Sequence, residues 1–177
     1  MNENIEKVLR SKIRDIQDYP KKGVLFRDIT PLLKDRDLFA LCIDYINVSL
    51  YGKDIDYIAG IDARGFIIGS ALAYKLKKGF IPIRKKGKLP YKTVEVFYSL
   101  EYAEKQTIEM HSDAVEKGSR VLIIDDVLAT GGTLAASIEL LEKLDAKIAG
   151  ICTLIELSTL NGREKLKGYD FFTLLKY

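Results

Sequence analysis

From residue 57 onward, short apolar runs alternate with stretches in which apolar residues recur at helical spacing. The apolar runs, each of which predicts a buried strand, are residues 57–61, 80–83, 121–124 and 148–155. Helical spacing follows at 66–77 and at 133–144. Near-continuous apolar strands that alternate with helices are typical of a parallel sheet covered on both faces. The pattern therefore predicts an α/β fold built on a central, mostly parallel sheet.

The first 50 residues have a different pattern. Apolar residues recur at helical spacing over 3–16 and again over 37–50, which predicts two helices. Between them, the sequence Tyr-Pro-Lys-Lys-Gly at 19–23 is a break, and a short segment beginning Val-Leu-Phe at 24–26 follows it.

Length and composition indicate a single domain over residues 1–177. Hydrophobic residues make up 47% and charged residues 30% of the chain, a balance that argues against disorder. No apolar run approaches the roughly 18–20 residues that a membrane-spanning helix needs, so no membrane partner is expected. The N-terminus is polar and partly acidic and does not resemble a signal peptide, so a cytoplasmic location is the expectation.

Charge and cysteine content narrow the function classes further. The net charge of +3 is too small to indicate a nucleic-acid partner, but it is compatible with a localised anionic substrate. Cys42 and Cys152 lie in apolar stretches far apart in the sequence, as expected of buried free thiols. The sequence has no cluster of cysteine and histidine that would suggest a zinc site, and its one histidine, His111, matches no motif.

Polar segments that contain glycine follow three of the predicted strands, at 62–65, 84–88 and 125–132. Ligands of open parallel sheets bind beyond the carboxyl ends of the strands. The three segments are therefore expected to form one shared site.

The segment 121–133 carries the most information. Its strand leads into Asp125 and Asp126, and the sequence Ala-Thr-Gly-Gly-Thr at 129–133, here called the phosphate loop, leads into a helix. Glycines let backbone N–H groups approach a ligand, a helix N-terminus favours an anion, and threonines add hydroxyl donors, so this loop suits a phosphate monoester. The two acids fit the hydroxyls of an attached sugar or the hydration shell of Mg²⁺. Together these features describe a ribose 5-phosphate.

The alternative for this segment is an ordinary strand–turn–helix with solvated acids. It is neither a Walker A loop, which needs Gly-Lys-Ser/Thr, nor a dinucleotide fingerprint. It resembles the phosphoribosyl diphosphate signature of the type I phosphoribosyltransferases. That resemblance implies the family's fold, a mostly parallel twisted sheet flanked by helices with a small N-terminal hood. It also implies transfer of ribose 5-phosphate from phosphoribosyl diphosphate to a nitrogen nucleophile, with release of diphosphate.

The resemblance assigns residues to the ribose phosphate. These are Asp125, Asp126, Ala129, Thr130, Gly131, Gly132 and Thr133. It also implies Mg²⁺ as the cofactor, held mainly through substrate and water and not by direct protein ligands.

The segment Asp-Ala-Arg-Gly at 62–65 resembles the family's diphosphate loop and keeps that name below. The resemblance implies a cis peptide bond at Asp62–Ala63 and a catalytic contact from Arg64, which can hold diphosphate oxygens in a bidentate geometry. The basic loop at 84–88 has four cations in five residues. The expected diphosphate-binding residues are Asp62, Ala63, Arg64, Arg84, Lys85 and Lys88. The alternatives are a surface ion pair for Arg64 and a solvated face for the basic loop.

From about residue 13 to residue 177, the resemblance is to the adenine phosphoribosyltransferase family. Residues 13–33 correspond to the hood, in which Phe26 would stack on the purine and backbone groups around Val24 and Arg27 would read its amine edge. Leu157 would pack on the purine as well. A buried phenylalanine in an N-terminal strand is the alternative for Phe26. The implied reaction converts adenine to AMP in purine salvage, and the implied assembly is a homodimer.

Ala129 stands where oxopurine-specific relatives have an aspartate that handles the base proton. Alanine cannot transfer a proton, so that group must come from elsewhere in the chain. The segment 97–102 resembles the mobile loop of the adenine family, in which Glu101 corresponds to the general acid/base and Tyr102 to a residue that closes over the site. One departure is Tyr91, since close relatives tend to have glycine after Leu-Pro.

Two other functions remain open from the sequence. A salvage enzyme for hypoxanthine, guanine or xanthine would use the same fold, although Ala129 and the hood argue against it. A regulator that senses phosphoribosyl diphosphate without turnover would need a DNA-binding domain or a strong basic face.

Overall fold

The computed structural model describes residues 3–98 and 106–177. The helices in these ranges are α1 (Glu3–Arg10), α2 (Thr30–Lys34), α3 (Arg36–Ser49), α4 (Arg64–Leu76) and α5 (Gly132–Glu142). The strands are β1 (Arg14–Gln17), β2 (Leu25–Asp28), β3 (Tyr57–Ile61), β4 (Gly79–Lys85), β5 (Thr93–Tyr98), β6 (Gln106–His111), β7 (Arg120–Leu128), β8 (Lys147–Glu156) and β9 (Phe171–Lys176). Short 3-10 turns at Ser158–Leu160 and Gly162–Leu166 connect β8 to β9.

The main sheet has the strand order β5-β6-β4-β3-β7-β8-β9. β3 pairs in parallel with β4 on one side and with β7 on the other, and the parallel pairing continues to β8 and β9. Only β6, among the described strands of this sheet, runs against its neighbours β4 and β5. The predicted fold class, a mostly parallel sheet flanked by helices, is confirmed.

The two faces of the sheet are buried in separate cores, as the continuous apolar strands predict. In β7, Leu122 and Ile124 pack into the core that contains α3 and α4, whereas Val121 and Ile123 pack into the core that contains α5. This alternation follows from the two-residue repeat of a strand. Both faces are covered, so the carboxyl ends of the strands are the open part of the sheet.

The prediction of one helix over 3–16 is wrong in its second half. α1 ends at Arg10, and β1 follows as an edge of a two-stranded antiparallel sheet with β2. Ile16 pairs with Phe26 across this small sheet, and Ile13 is buried in the main core. The apolar spacing that predicted a helix is therefore satisfied by two different elements.

The predicted strands and helices of the main sheet agree with the structure within a few residues, with one exception at β7. The prediction ended this strand at 124, but β7 continues to Leu128 because β8 pairs with it as far as Glu156. Asp125 and Asp126 are thus strand residues and not loop residues.

None of the helices in the described ranges is long and apolar enough to cross a membrane.

Candidate active site

A cavity of about 380 Å³ lies at the carboxyl ends of β3, β4 and β7. Its lining comprises residues 61–64, 85, 98, 106 and 125–134. β3 is the strand at which the sheet order turns, since its chain neighbour β4 lies on one side and β7 on the other. Crevices at such a switch point are the usual ligand sites of open α/β sheets. The structure thus brings the diphosphate loop and the phosphate loop together, as the sequence predicted.

The phosphate loop is a tight turn between β7 and α5. Gly131 precedes the first residue of α5 and has a φ of 78°, a left-handed conformation that favours glycine. A Cβ atom on Gly131 would lie 2.5 Å from the carbonyl oxygen of Gly162, so the turn packs directly on the backbone of the C-terminal segment. This arrangement places the N-terminus of α5 at the cavity, where backbone N–H groups and the helix dipole favour an anion.

Asp125 and Asp126 differ in their environment although they are adjacent. The side chain of Asp126 is only 6% exposed and accepts a hydrogen bond from Nε of Arg64 at 2.5 Å. The carboxylate of Asp125 accepts the backbone N–H of Asp126 at 2.9 Å. Burial, together with the charge of Asp126, raises the pKa of Asp125 well above its usual range. The two adjacent acids therefore lie in different environments, Asp126 paired with Arg64 and Asp125 bonded to the backbone.

Arg64 contacts both the paired acids of β7 and the hood. It is the first residue of α4, its guanidinium pairs with Asp126, and the same guanidinium lies 5.1 Å from the ring centre of Phe26 in the hood. Burial lowers the pKa of Arg64, but the charge and hydrogen bond of Asp126 outweigh that effect and raise it. Arg64 is thus a half-exposed cation that lines the cavity and pairs with a buried carboxylate.

The expected cis peptide bond at Asp62–Ala63 is present. Asp62 and Ala63 both line the cavity, and Ala63 stands at the N-terminus of α4.

The basic loop contributes to the cavity unequally. Lys85 lines it, whereas Arg84 and Lys88 do not. Arg84 instead donates from Nε to Asp62 at 3.0 Å and from its terminal nitrogen to the carbonyl of Lys88 at 3.1 Å. The structure therefore places Arg84 beside the diphosphate loop, one contact removed from the cavity wall.

The residues expected to hold the base lie outside the cavity lining. Phe26 is half-buried, and Tyr19 and Arg64 contact its ring. The side chain of Arg27 pairs with Asp15 and stacks on Tyr177, which is compatible with a role for its backbone alone. Val24 is half-buried in the hood.

Leu157, the fourth residue expected at the base, follows β8. It donates its backbone N–H to the carbonyl of Leu128, which does line the cavity. Arg163, a few residues further, makes two hydrogen bonds to the buried Glu156, at 2.5 and 2.7 Å, and these bonds raise the pKa of Arg163. Arg163 is thus held by Glu156 at the end of β8.

Some residues that line the cavity, Tyr98 and Gln106 among them, were not predicted as site residues from the sequence. Tyr98 and Gln106 are opposite each other at the ends of β5 and β6, and the hydroxyl of Thr133 donates to that of Tyr98 at 3.4 Å. Tyr98 lies in the 97–102 segment, whose resemblance to the mobile loop pointed to Glu101 and Tyr102. Those two residues lie outside the described residues.

Residues 35–175 match the model of the phosphoribosyl transferase domain family. The chain is 55% identical over 169 residues to an adenine phosphoribosyltransferase of Brachyspira hyodysenteriae, which covers 96% of this chain and 99% of the relative. The crystal structure of the enzyme of that name from Thermoanaerobacter pseudethanolicus has a TM-score of 0.94 and 48% identity, covering 97% of this chain and 99% of the other. The enzyme from Saccharomyces cerevisiae, crystallised with an imino-altritol bisphosphate and adenine, has a TM-score of 0.92 and 38% identity, covering 97% and 99%. With this geometry and these relatives, the chain belongs to the adenine phosphoribosyltransferases of the phosphoribosyl transferase family.

Proposed function

We propose that this chain transfers the 5-phosphoribosyl group from phosphoribosyl diphosphate to adenine, giving AMP and diphosphate in purine salvage. The observation that carries the proposal is the single cavity in which the phosphate loop, the paired acids of β7 and the diphosphate loop meet. The adenine-bound relative from yeast supports the choice of base.

The ribose phosphate is assigned to the β7 side of the cavity. The 5-phosphate lies against the backbone of 129–133 at the N-terminus of α5, with the hydroxyls of Thr130 and Thr133 as further donors. Asp125 and Asp126 accept hydrogen bonds from the ribose hydroxyls. Anchoring the phosphate away from the reacting carbon orients the sugar, an effect that can lower a barrier by several kcal/mol.

The diphosphate is assigned to the opposite wall. Arg64 and the backbone of Asp62 and Ala63 contact it directly, with Lys85 on the cavity wall and with Arg84 and Lys88 behind. These cations stabilise the charge that develops as the bond between C1 of the ribose and the diphosphate oxygen breaks. Arg64 is the catalytic group among them because it touches both Asp126 and the space for the leaving group.

The residues present fit Mg²⁺ held through substrate oxygens and water. The described residues contain no group of three or more histidine, cysteine or acidic side chains that would form a protein cage. The carboxylates of Asp125 and Asp126 line the cavity and can bind the hydration shell of the ion. Bound there with the substrate, Mg²⁺ would neutralise part of the diphosphate charge.

The base is assigned to the space between the hood and the β7 side. Phe26 stacks on the purine, Leu157 packs on it, and the backbone around Val24 and Arg27 reads its amine edge. The purine nitrogen attacks C1 from the face opposite the diphosphate, so that the new C–N bond forms with inversion. Glu101 takes the proton that this nitrogen loses, and Tyr102 closes over the site.

A homodimer is the proposed assembly. Ile67 and Tyr74, two turns apart on one face of α4, are 46% and 89% exposed. Exposed apolar residues on one face of a helix are typical of an interface. Sedimentation velocity tests this, and a monomer at micromolar concentration would contradict it.

A cytoplasmic location is also proposed. Cys42 and Cys152 are free and buried, and burial raises the pKa of Cys42 to about 12. Unpaired, unreactive thiols are typical of proteins from reducing compartments. Fractionation of cells that produce the protein tests the location.

The experiment that tests the function measures diphosphate release from phosphoribosyl diphosphate and Mg²⁺ with adenine, hypoxanthine, guanine and xanthine in parallel. We expect release with adenine alone, and a fall in kcat of about a hundredfold for Glu101→Gln, the usual contribution of a general acid/base. Release with an oxopurine would contradict the adenine specificity assigned to the hood and Ala129. Tight binding of phosphoribosyl diphosphate without release for any base would indicate a sensor.

A further inference from the structure

Glu109 is an acidic side chain directly beneath the basic loop. It lies in β6, opposite Arg84 of β4 on one side and opposite Glu95 of β5 on the other. Glu109 is only 3% exposed and does not line the cavity. Its buried carboxylate must therefore be satisfied by protein groups and not by substrate or solvent.

The carboxylate of Glu109 is satisfied by the backbone of the basic loop. One oxygen accepts the N–H groups of Lys88 at 2.9 Å and of Leu89 at 3.0 Å, and the other accepts the hydroxyl of Thr93 at 3.3 Å. Charge-assisted bonds of this kind are stronger than those between neutral groups, and a buried carboxylate that lost them would be costly. The two backbone bonds fix the direction of the turn, because the N–H groups that they hold point inward.

The turn is connected to the diphosphate loop through Arg84. The carbonyl of Lys88 accepts from the guanidinium of Arg84 at 3.1 Å, and that guanidinium also donates to Asp62 at 3.0 Å. The peptide groups of Lys88 are thus held on both sides, by Glu109 through the N–H and by Arg84 through the carbonyl. A shift of the turn would move the Lys88 carbonyl, which is one of the two groups that hold the Arg84 guanidinium.

Glu95 shows that this arrangement is not a general property of acids in this hairpin. It is opposite Glu109 on the neighbouring strand, but its side chain is 29% exposed and pairs with Lys86 at 2.7 Å. An exposed pair of this kind contributes little to stability or position. The two glutamates are therefore a matched pair with different partners, one bonded to the backbone and one to a flexible lysine.

We propose that Glu109 is a positioning residue for the diphosphate side of the site, which it controls by holding the 88–89 turn and, through the Lys88 carbonyl, Arg84. This inference rests on the proposed diphosphate role of the 62–65 and 84–88 segments. Shortening the Glu109 side chain, so that its carboxylate no longer reaches both N–H groups, is expected to raise the KM for phosphoribosyl diphosphate. The KM for adenine is expected to stay unchanged.

The test compares Glu109→Asp with Glu109→Gln. The aspartate keeps the buried charge but is one methylene too short for both backbone N–H groups. The glutamine loses the charge, but its amide oxygen still reaches them and its amide nitrogen can donate to Thr93. We expect Glu109→Asp to raise the KM for phosphoribosyl diphosphate about tenfold, with Glu109→Gln within about twofold of wild type. The KM for adenine is expected to stay constant in both variants.

Glu95→Asp is the control for shortening a glutamate in this hairpin, and it is expected to leave both KM values unchanged. Hydrogen exchange of the Leu89 amide provides a readout independent of turnover, and Glu109→Asp is expected to accelerate it. An unchanged KM for phosphoribosyl diphosphate, or an equal rise in both KM values, would overturn the inference.

Arg84→Ala separates this inference from the proposed function. If Arg84→Ala raises the KM for phosphoribosyl diphosphate and Glu109→Asp does not, the role of Glu109 alone is wrong. If neither variant has an effect, the assignment of the diphosphate side is wrong, and the inference falls with it.

Discussion

The phosphate loop and the hood are two parts of the proposed site, and they are held in place by different means. The phosphate loop continues directly from β7 into α5, and its Gly131 packs against the backbone of Gly162. The hood is a two-stranded sheet that is anchored at its base by the buried Ile13 and Ile29. Above that base, side-chain contacts join it to the rest of the molecule.

One of these contacts is made by Arg27, which stacks on Tyr177 together with Arg10 of α1. The guanidinium of Arg10 lies 4.5 Å and that of Arg27 lies 4.1 Å from the centre of the Tyr177 ring. Arg64 makes a similar contact with Phe26 at 5.1 Å. Each such contact contributes about 0.5–2 kcal/mol. A single contact of this size restricts movement less than a direct backbone connection does. The phosphate side is thus fixed by continuous backbone, whereas the base side is held by a few separable side-chain contacts.

The largest expected effect comes from Gly131→Ala, which tests the rigid side. The added methyl group would collide with the Gly162 carbonyl and displace the phosphate loop. We expect kcat/KM to fall about a hundredfold, the scale of losing preorganised backbone donors. Steady-state kinetics with phosphoribosyl diphosphate as the varied substrate measures it.

Gly118→Ala is the matched control for that change. Gly118 has a φ of 82°, close to that of Gly131, but no atom lies within 4 Å of the position of its Cβ. The control carries the left-handed penalty of about 1 kcal/mol without the collision, so it should lower the melting temperature and leave kinetics intact. Equal kinetic losses in both variants would contradict the proposed contact.

A moderate effect is expected from Tyr177→Leu, which tests the side-chain contacts that hold the hood. Loss of both stacks should loosen the hood and raise the KM for adenine about fivefold, while the KM for phosphoribosyl diphosphate stays constant. Tyr177→Phe keeps the ring and should restore the wild-type value. A rise in both KM values after Tyr177→Leu would show that the two sides are not independent.

The smallest effect concerns the pH dependence of hood stability. Hydrogen bonds from Thr30, followed by those of Arg14, lower the pKa of Asp28 to about 2 although burial opposes the shift. Because the folded pKa lies below the unfolded one, Asp28 stabilises the protein above about pH 4, and the contribution is lost as pH falls towards 2.

Asp28→Asn should therefore lower the melting temperature by a few degrees at pH 7, and its difference from wild type should shrink below pH 4. Thermal denaturation across this pH range measures the difference. Asp44→Asn, which removes an exposed pair with Lys75, serves as the control and should show little change. A difference for Asp28→Asn that persists undiminished to pH 3 would contradict the assignment.

Much of the fold and part of the site could be predicted from the sequence because their signals are local. The four apolar runs predicted β3, β4, β7 and β8, since a strand buried on both faces must be apolar throughout. They did not predict β5, β6 and β9, the other strands of this sheet. The phosphate loop could be recognised because its glycines, threonines and preceding acids are contiguous in the sequence. The same local reasoning failed at 3–16, where residues that end a helix and begin a strand share one apolar spacing.

The sequence alone was enough to predict four parallel strands of the sheet, β3, β4, β7 and β8, and the chemistry of the 62–65 and 125–133 segments. Only the tertiary structure decided that Arg64 pairs with Asp126, that Glu109 holds the turn at Lys88, and that Tyr177 lies between two arginines of the N-terminal region. These contacts join residues far apart in the chain. Their geometry depends on which strands become neighbours, and no local pattern of polar and apolar residues encodes that choice.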